Sequence, residues 1–146
     1  MYTRNEINEI YLSKGICMLF KQAGFNWKID HWYNRGGKLV DNSDMSPIDW
    51  NSDALENECS AFTLDVAQRW LREEKGVIVY VIPKGHNIFE FYISCDPLNF
   101  KSDFKIDSFD DLTYNSTYYF SNYDEALVHG VVKGIRMVLR EIIDNK

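Results

Sequence analysis

Apolar residues recur along this chain with two different periods. From Asn5 to Ala23 the period is helical: Ile7, Ile10, Tyr11, Lys14, Cys17, Met18 and Lys21 trace one face. Leu12, Ile16, Leu19 and Phe20 widen the apolar surface, and Gly24 supplies a C-terminal stop. Phe25–Tyr33 reads as extended or irregular, with room for a short strand, until Gly36-Gly37 breaks it. Asp41–Asp53 is rich in Asp, Asn and Ser and reads as a surface loop. A second helix is expected over Ser60–Lys75, with Leu64, Ala67, Gln68 and Leu71 as its stripe, Val66 and Trp70 beside it, and Gly76 as its end.

The period then changes to two. Val77–Ile82 and Ile88–Cys95 form a hairpin around Pro83-Lys84-Gly85-His86, with Phe89, Phe91, Ile93 and Cys95 on one face and Glu90, Tyr92 and Ser94 on the other. Asp96–Asp111 is polar, with room for a short strand at Phe104–Ile106, and Thr113–Phe120 alternates as a third strand. Ser121 or Asn122 can cap a closing helix to Asp144, with Asp124 and Glu125 set against its dipole. Its core face is Tyr123, Leu127, Val131, Gly134, Ile135, Val138 and Ile142. The pattern therefore predicts a single α+β domain over 1–146: an antiparallel sheet of three or four strands, covered on one face by two or three helices, with α-β-β-β-α order in the C-terminal part.

Composition narrows the classes of function. The 45% hydrophobic and 15% aromatic content is that of a globular chain, and a net charge of −6 opposes polyanions and anionic membrane surfaces. No apolar run approaches the about 18 residues that span a bilayer, and Met1–Glu6 lacks the layout of a secretion signal. Cys17, Cys59 and Cys95 are odd in number and widely spaced, which predicts reduced, buried thiols in a cytoplasmic protein.

Trp70-Leu71-Arg72-Glu73 before a hairpin, and Phe120-Ser121-Asn122-Tyr123-Asp124-Glu125-Ala126-Leu127 opening a terminal helix, carry a resemblance. Phe25-Asn26-Trp27-Lys28 with His31 and Tyr33, and Asp49-Trp50-Asn51-Ser52, fit the same layout. Over most of its length the chain resembles a group of small proteins of unassigned activity from gut Bacteroides-type bacteria, their phages and mobile elements. That resemblance implies a source and no catalytic residue or cofactor.

Candidate chemistry is sparse. Asp49-x-Asn51-x-Asp53 opens like a calcium loop, but Ala54 and Ser60 stand where glycine and a bidentate glutamate belong, and loop-capping explains the same residues. His31, His86 and His129 have no metal-ligand spacing, so neither metal nor cofactor is expected. Cys59 or Cys95 with a histidine is the one enzyme alternative, against the simpler reading of inert core thiols. Acids such as Asp103, Asp107, Asp110 and Asp111 read as solvated surface.

Two binding readings remain. The helix–three strands–helix order from Ser60 is that of double-stranded-RNA-binding domains, and Pro83-Lys84-Gly85-His86-Asn87-Ile88-Phe89 is similar to their Gly-Pro-x-His loop. Against it, Ile82 replaces the glycine, and the last helix opens with Asp124-Glu125 where a lysine cluster should grip phosphate. Nucleic acid is therefore disfavoured. The leading expectation is a cytosolic accessory protein that binds another protein, or a second copy of itself, without catalysis. Trp27, Trp32, Tyr33, Trp50 and Tyr92 are the expected contact residues, because aromatic side chains with polar tips bury much area at low entropic cost.

Overall fold

Ser13 opens the first helix among the described residues. Its hydroxyl accepts from the Ile16 amide 3.4 Å away, so α1 spans Lys14–Gln22. The computed structural model describes residues 10–95, 113–116 and 119–144. Within them, Ile10–Leu12 is extended rather than helical, because its backbone pairs with the start of the next long helix. Leu12 donates to the Phe62 carbonyl (3.1 Å) and the Leu64 amide to the Ile10 carbonyl (2.9 Å). The first part of the expected helix, Asn5–Glu9, lies outside the described residues.

The segment expected to be irregular builds a small sheet. Strands β1 (His31–Tyr33), β2 (Leu39–Asp41) and β3 (Cys59–Ser60) run antiparallel in the order β2-β1-β3, joined through the Gly36-Gly37 turn. Between β2 and β3 the expected loop contains one helical turn, α2 (Trp50–Asp53), because the Asp49 carboxylate caps it at the Asn51 amide (3.1 Å). Ser60 is thus a strand residue paired with Trp32, and the helix expected to begin there is α3, Leu64–Lys75, capped by Thr63. Gly76 ends it at φ 67°, a left-handed conformation that favours glycine.

The second sheet is the hairpin and its neighbour: β4 (Val77–Gly85), β5 (Ile88–Cys95) and β6 (Thr113–Asn115), antiparallel in that order. The hairpin is longer than its sequence suggests. Pro83 pairs with Phe89, a bulge follows before Gly85, and the reversal is made by His86-Asn87, with Asn87 at φ 55°. Proline is tolerated there because β4 is an edge strand in this sheet. Phe120 continues the third-strand pattern as a bridge to Phe89, whereas Phe104–Ile106 lies outside the described residues.

Helix α4 (Tyr123–Asp144) is capped by Asn122, whose side chain accepts from the Glu125 amide at 3.0 Å. Its buried residues include Ala126, Leu127, Gly130, Val131, Gly134, Ile135 and Val138, while Tyr123, expected in the core, stands 47% exposed, and the side chain of Ile142, expected there too, lies outside the described ones. Helices α3 and α4 lie on the face of the second sheet that carries Val77, Val79, Phe91 and Ile93, and α1 packs on β3 and α4. The expected α+β class and α-β-β-β-α order are the ones observed. One buried cluster runs from Leu12 to Val138. Its centre is aromatic: Phe25 stacks on Phe62 (4.2 Å between centroids), and Phe20 and Trp70 close round them.

Candidate functional site

Antiparallel pairing of β1 with β2 and β3 fixes Trp32 between Val40 and Ser60. The capped turn of α2 brings Trp50 over it. The two indoles stack with centroids 5.6 Å apart and planes 16° from parallel. Trp50 is anchored through its ring nitrogen, which donates to the Ile29 carbonyl at 2.8 Å. The Trp32 nitrogen lies 3.2 Å from the Asn42 side-chain oxygen once that amide is oriented to satisfy both partners. Ile29 and Ile48 exchange backbone hydrogen bonds of 2.9 and 3.1 Å, which sets Ile48 beside the rings.

Asn51 locks this arrangement to the core. Its amide donates to the Phe25 carbonyl (3.0 Å), and its oxygen accepts from the Ser60 amide (2.8 Å). The residues that suggested a calcium loop are therefore in part a cap and a bridge: Asp49 at the helix start, Asn51 between two segments. Among the described residues no group of three His, Cys, Asp or Glu side chains is placed to hold a metal ion.

The result is a cleft of about 240 Å3 lined by Trp32, Ile48, Trp50, Ala54, Glu58 and Cys59. Glu58 is the one charged group in this lining. Its Oε1 accepts from the Leu55 amide at 3.3 Å. Lys21 clamps the same turn from α1, donating to the Leu55 and Glu58 carbonyls at 2.8 and 2.7 Å. Ile48 and Leu55 stay 40% and 66% exposed, so apolar surface continues outward from the cleft.

Of the five aromatic residues expected at a contact surface, the fold brings Trp32 and Trp50 together and separates the rest. Tyr33 lies in the core, because strand alternation turns it inward and its hydroxyl donates to the Leu12 carbonyl at 2.6 Å. Trp27 leans on α3, donating to Glu74 (3.0 Å) with the Arg69 guanidinium 6.0 Å from its ring centre. Tyr92 is on the other sheet, stacked on Tyr80 across the β4–β5 pair at 5.6 Å. Nothing in the sequence joined the wall residues Ile48, Ala54, Glu58 and Cys59 to the two tryptophans; they converge only once α2 forms.

Beside Tyr92, Glu90 is buried and satisfied by Asn115 (3.0 Å), Tyr92 (3.3 Å) and Lys84 (3.5 Å). The Asn115 hydrogen bond, opposed by burial and aided by the Lys84 charge, holds its carboxyl below the ordinary 4.5. A carboxyl that titrates lower in the folded state stabilises above the unfolded value and loses that contribution as pH falls through the folded one. Glu90→Gln should therefore destabilise the protein at neutral pH, and the gap from wild type should narrow below pH 4.5 in urea melts followed by circular dichroism.

Cys17 and Cys59 are poor nucleophiles where they sit. Burial pushes Cys17 up to about 12 and Cys59 up to about 11, the latter against the pull of Lys14 and Lys21. Cys95 is buried as well. His31 is engaged with Asp30 at 2.7 Å and Tyr11 at 3.2 Å through Nδ1, and with Asp41 at 3.4 Å through Nε2. Asp41 in turn is held low by hydrogen bonds from Ser43, with the His31 charge assisting. His86 occupies the exposed hairpin turn, and His129 is exposed on α4 against the Phe120 ring.

No described helix is long and apolar enough to cross a membrane. No protein-family model, no curated protein and no solved structure matches this chain.

Proposed function

We propose that this chain is a small cytosolic accessory protein that binds another protein, or a second copy of itself, through the Trp32–Trp50 cleft, without catalysis. The stacked indoles carry this reading. They form an anchored apolar recess bordered by exposed Ile48 and Leu55, the kind of aromatic pocket that concentrates binding energy at protein interfaces. Affinity capture from the source cell tests it, comparing wild type with Trp32→Ala after a folding check. One partner, or a second copy, should be retained by the first and lost by the second. A captured set indifferent to Trp32→Ala removes the reading.

Duplex-RNA binding is the second reading, and α3-β4-β5-β6-α4 order is its support. Charge opposes it: Asp124 and Glu125 stand exposed at the start of α4, where they would repel phosphate.

A further inference from the structure

We propose that the occupant of the Trp32–Trp50 cleft is an arginine side chain presented by a basic segment of the partner protein. This rests on the protein-binding reading above and specifies its chemistry. Size comes first. At about 240 Å3 the cleft is smaller than the roughly 300–1,000 Å3 of pockets that enclose a whole small-molecule ligand. It suits one long side chain entering from outside.

The walls choose among side chains. Two near-parallel indoles beside Ile48 and Ala54 accept an aliphatic stem, and an indole face attracts a cation laid over it. Arginine fits this better than lysine, since its planar, weakly hydrated guanidinium stacks on rings and pairs with a carboxylate through parallel hydrogen bonds. Glu58 supplies that carboxylate. Its Oε1 is used by the Leu55 amide, and Oε2 has no partner among the described residues.

The surroundings choose the sign of the partner. From Asp41 to Glu58 every charged residue is acidic: Asp41, Asp44, Asp49, Asp53, Glu56 and Glu58. The two α1 lysines whose charges reach Cys59, Lys14 and Lys21, each have their ammonium hydrogen-bonded to two backbone carbonyls. This stretch and the net charge of −6 steer a basic segment toward the cleft and repel acidic peptides and nucleic acid.

The test selects phage-displayed random dodecapeptides on the whole wild-type chain and discards those that also bind Trp32→Ala. The retained peptides should be enriched in arginine. Ile48 then provides a charge swap at the mouth, since its backbone bonds to Ile29 survive any side-chain change. Ile48→Arg should weaken a selected peptide by about tenfold or more, and Ile48→Glu, which loses the same apolar wall but adds the opposite charge, should weaken it clearly less. Should Trp32→Ala fail to fold, the Ile48 pair decides alone. Cleft-dependent peptides that are neutral or acidic, or equal weakening by Arg and Glu, overturn the arginine assignment and leave the cleft a protein-binding site. If no peptide depends on the cleft, the assignment and the protein-binding reading both fall.

Discussion

Trp70→Ala should lower the unfolding free energy by about 4 kcal/mol, the middle of the range for emptying a large aromatic site. Trp70 is 1% exposed and lies 5.5 Å from both Phe20 and Phe25, so its removal hollows the point where the two sheets share a core. A domain whose whole stability is about 5–15 kcal/mol loses much of it in that one change. The indole N–H finds no acceptor among the described residues, so the ring is there for its volume and not for a hydrogen bond. Trp70→Phe should accordingly be far milder, about 1–2 kcal/mol, since lost volume is partly offset by removal of an unsatisfied donor. Urea unfolding followed by far-ultraviolet circular dichroism separates the two. Equal losses for both variants would show that the N–H has a partner worth as much as the ring's bulk.

Gly130→Val is expected to cost about 3 kcal/mol, in spite of the general preference of helices for almost any residue over glycine. A Cβ at position 130 would lie 2.6 Å from Val79 Cγ1 and 3.2 Å from Phe91 Cβ and Cγ. Those are short, branched or ring-bearing groups on a paired strand, with no flexible end to swing away. One turn on, a Cβ at Gly134 would be 3.2 Å from Leu71 and Val79, so α4 rests on the sheet along two glycines. The double variant Gly130→Val with Val79→Ala should recover part of the loss. Thermal melts of the two single variants and the pair measure that coupling. Simple additivity would mean that Val79 is not the obstruction.

The C-terminal architecture was legible because its signals are local. Gly76 stops a helix, Phe89 to Cys95 alternate over a full strand, and Asn122 stands one residue before a long periodic stripe. Apart from α1, whose period and Gly24 stop could be read, the N-terminal third was not legible, for physical reasons. Ile10–Leu12 has helical spacing but its backbone is claimed by Phe62 and Leu64, far away in sequence. Three-residue strands such as Leu39–Asp41 are too short to show a period. Asp49 as a cap and Asp49 as a loop residue look identical in one dimension, so α2 was hidden, and with it the wall of the cleft. Trp32 and Trp50 could be marked as surface aromatics, but their stacking depends on that hidden turn. Tyr33, their neighbour, differs from Trp32 only in strand parity, which decides that it faces the core.

The Asn51 bridge has a mechanical meaning for recognition. One amide fastens Phe25, which lies against Phe62 in the core, to Ser60 on β3, while its own backbone carries the turn that holds Trp50. Rotating the Trp50 indole would break its own hydrogen bond to the Ile29 carbonyl, so the stacked pair is held as one rigid unit on that turn. Under the proposed binding role, a docking partner would meet a seat already formed, and the entropy of fixing side chains would fall mainly on the arriving segment.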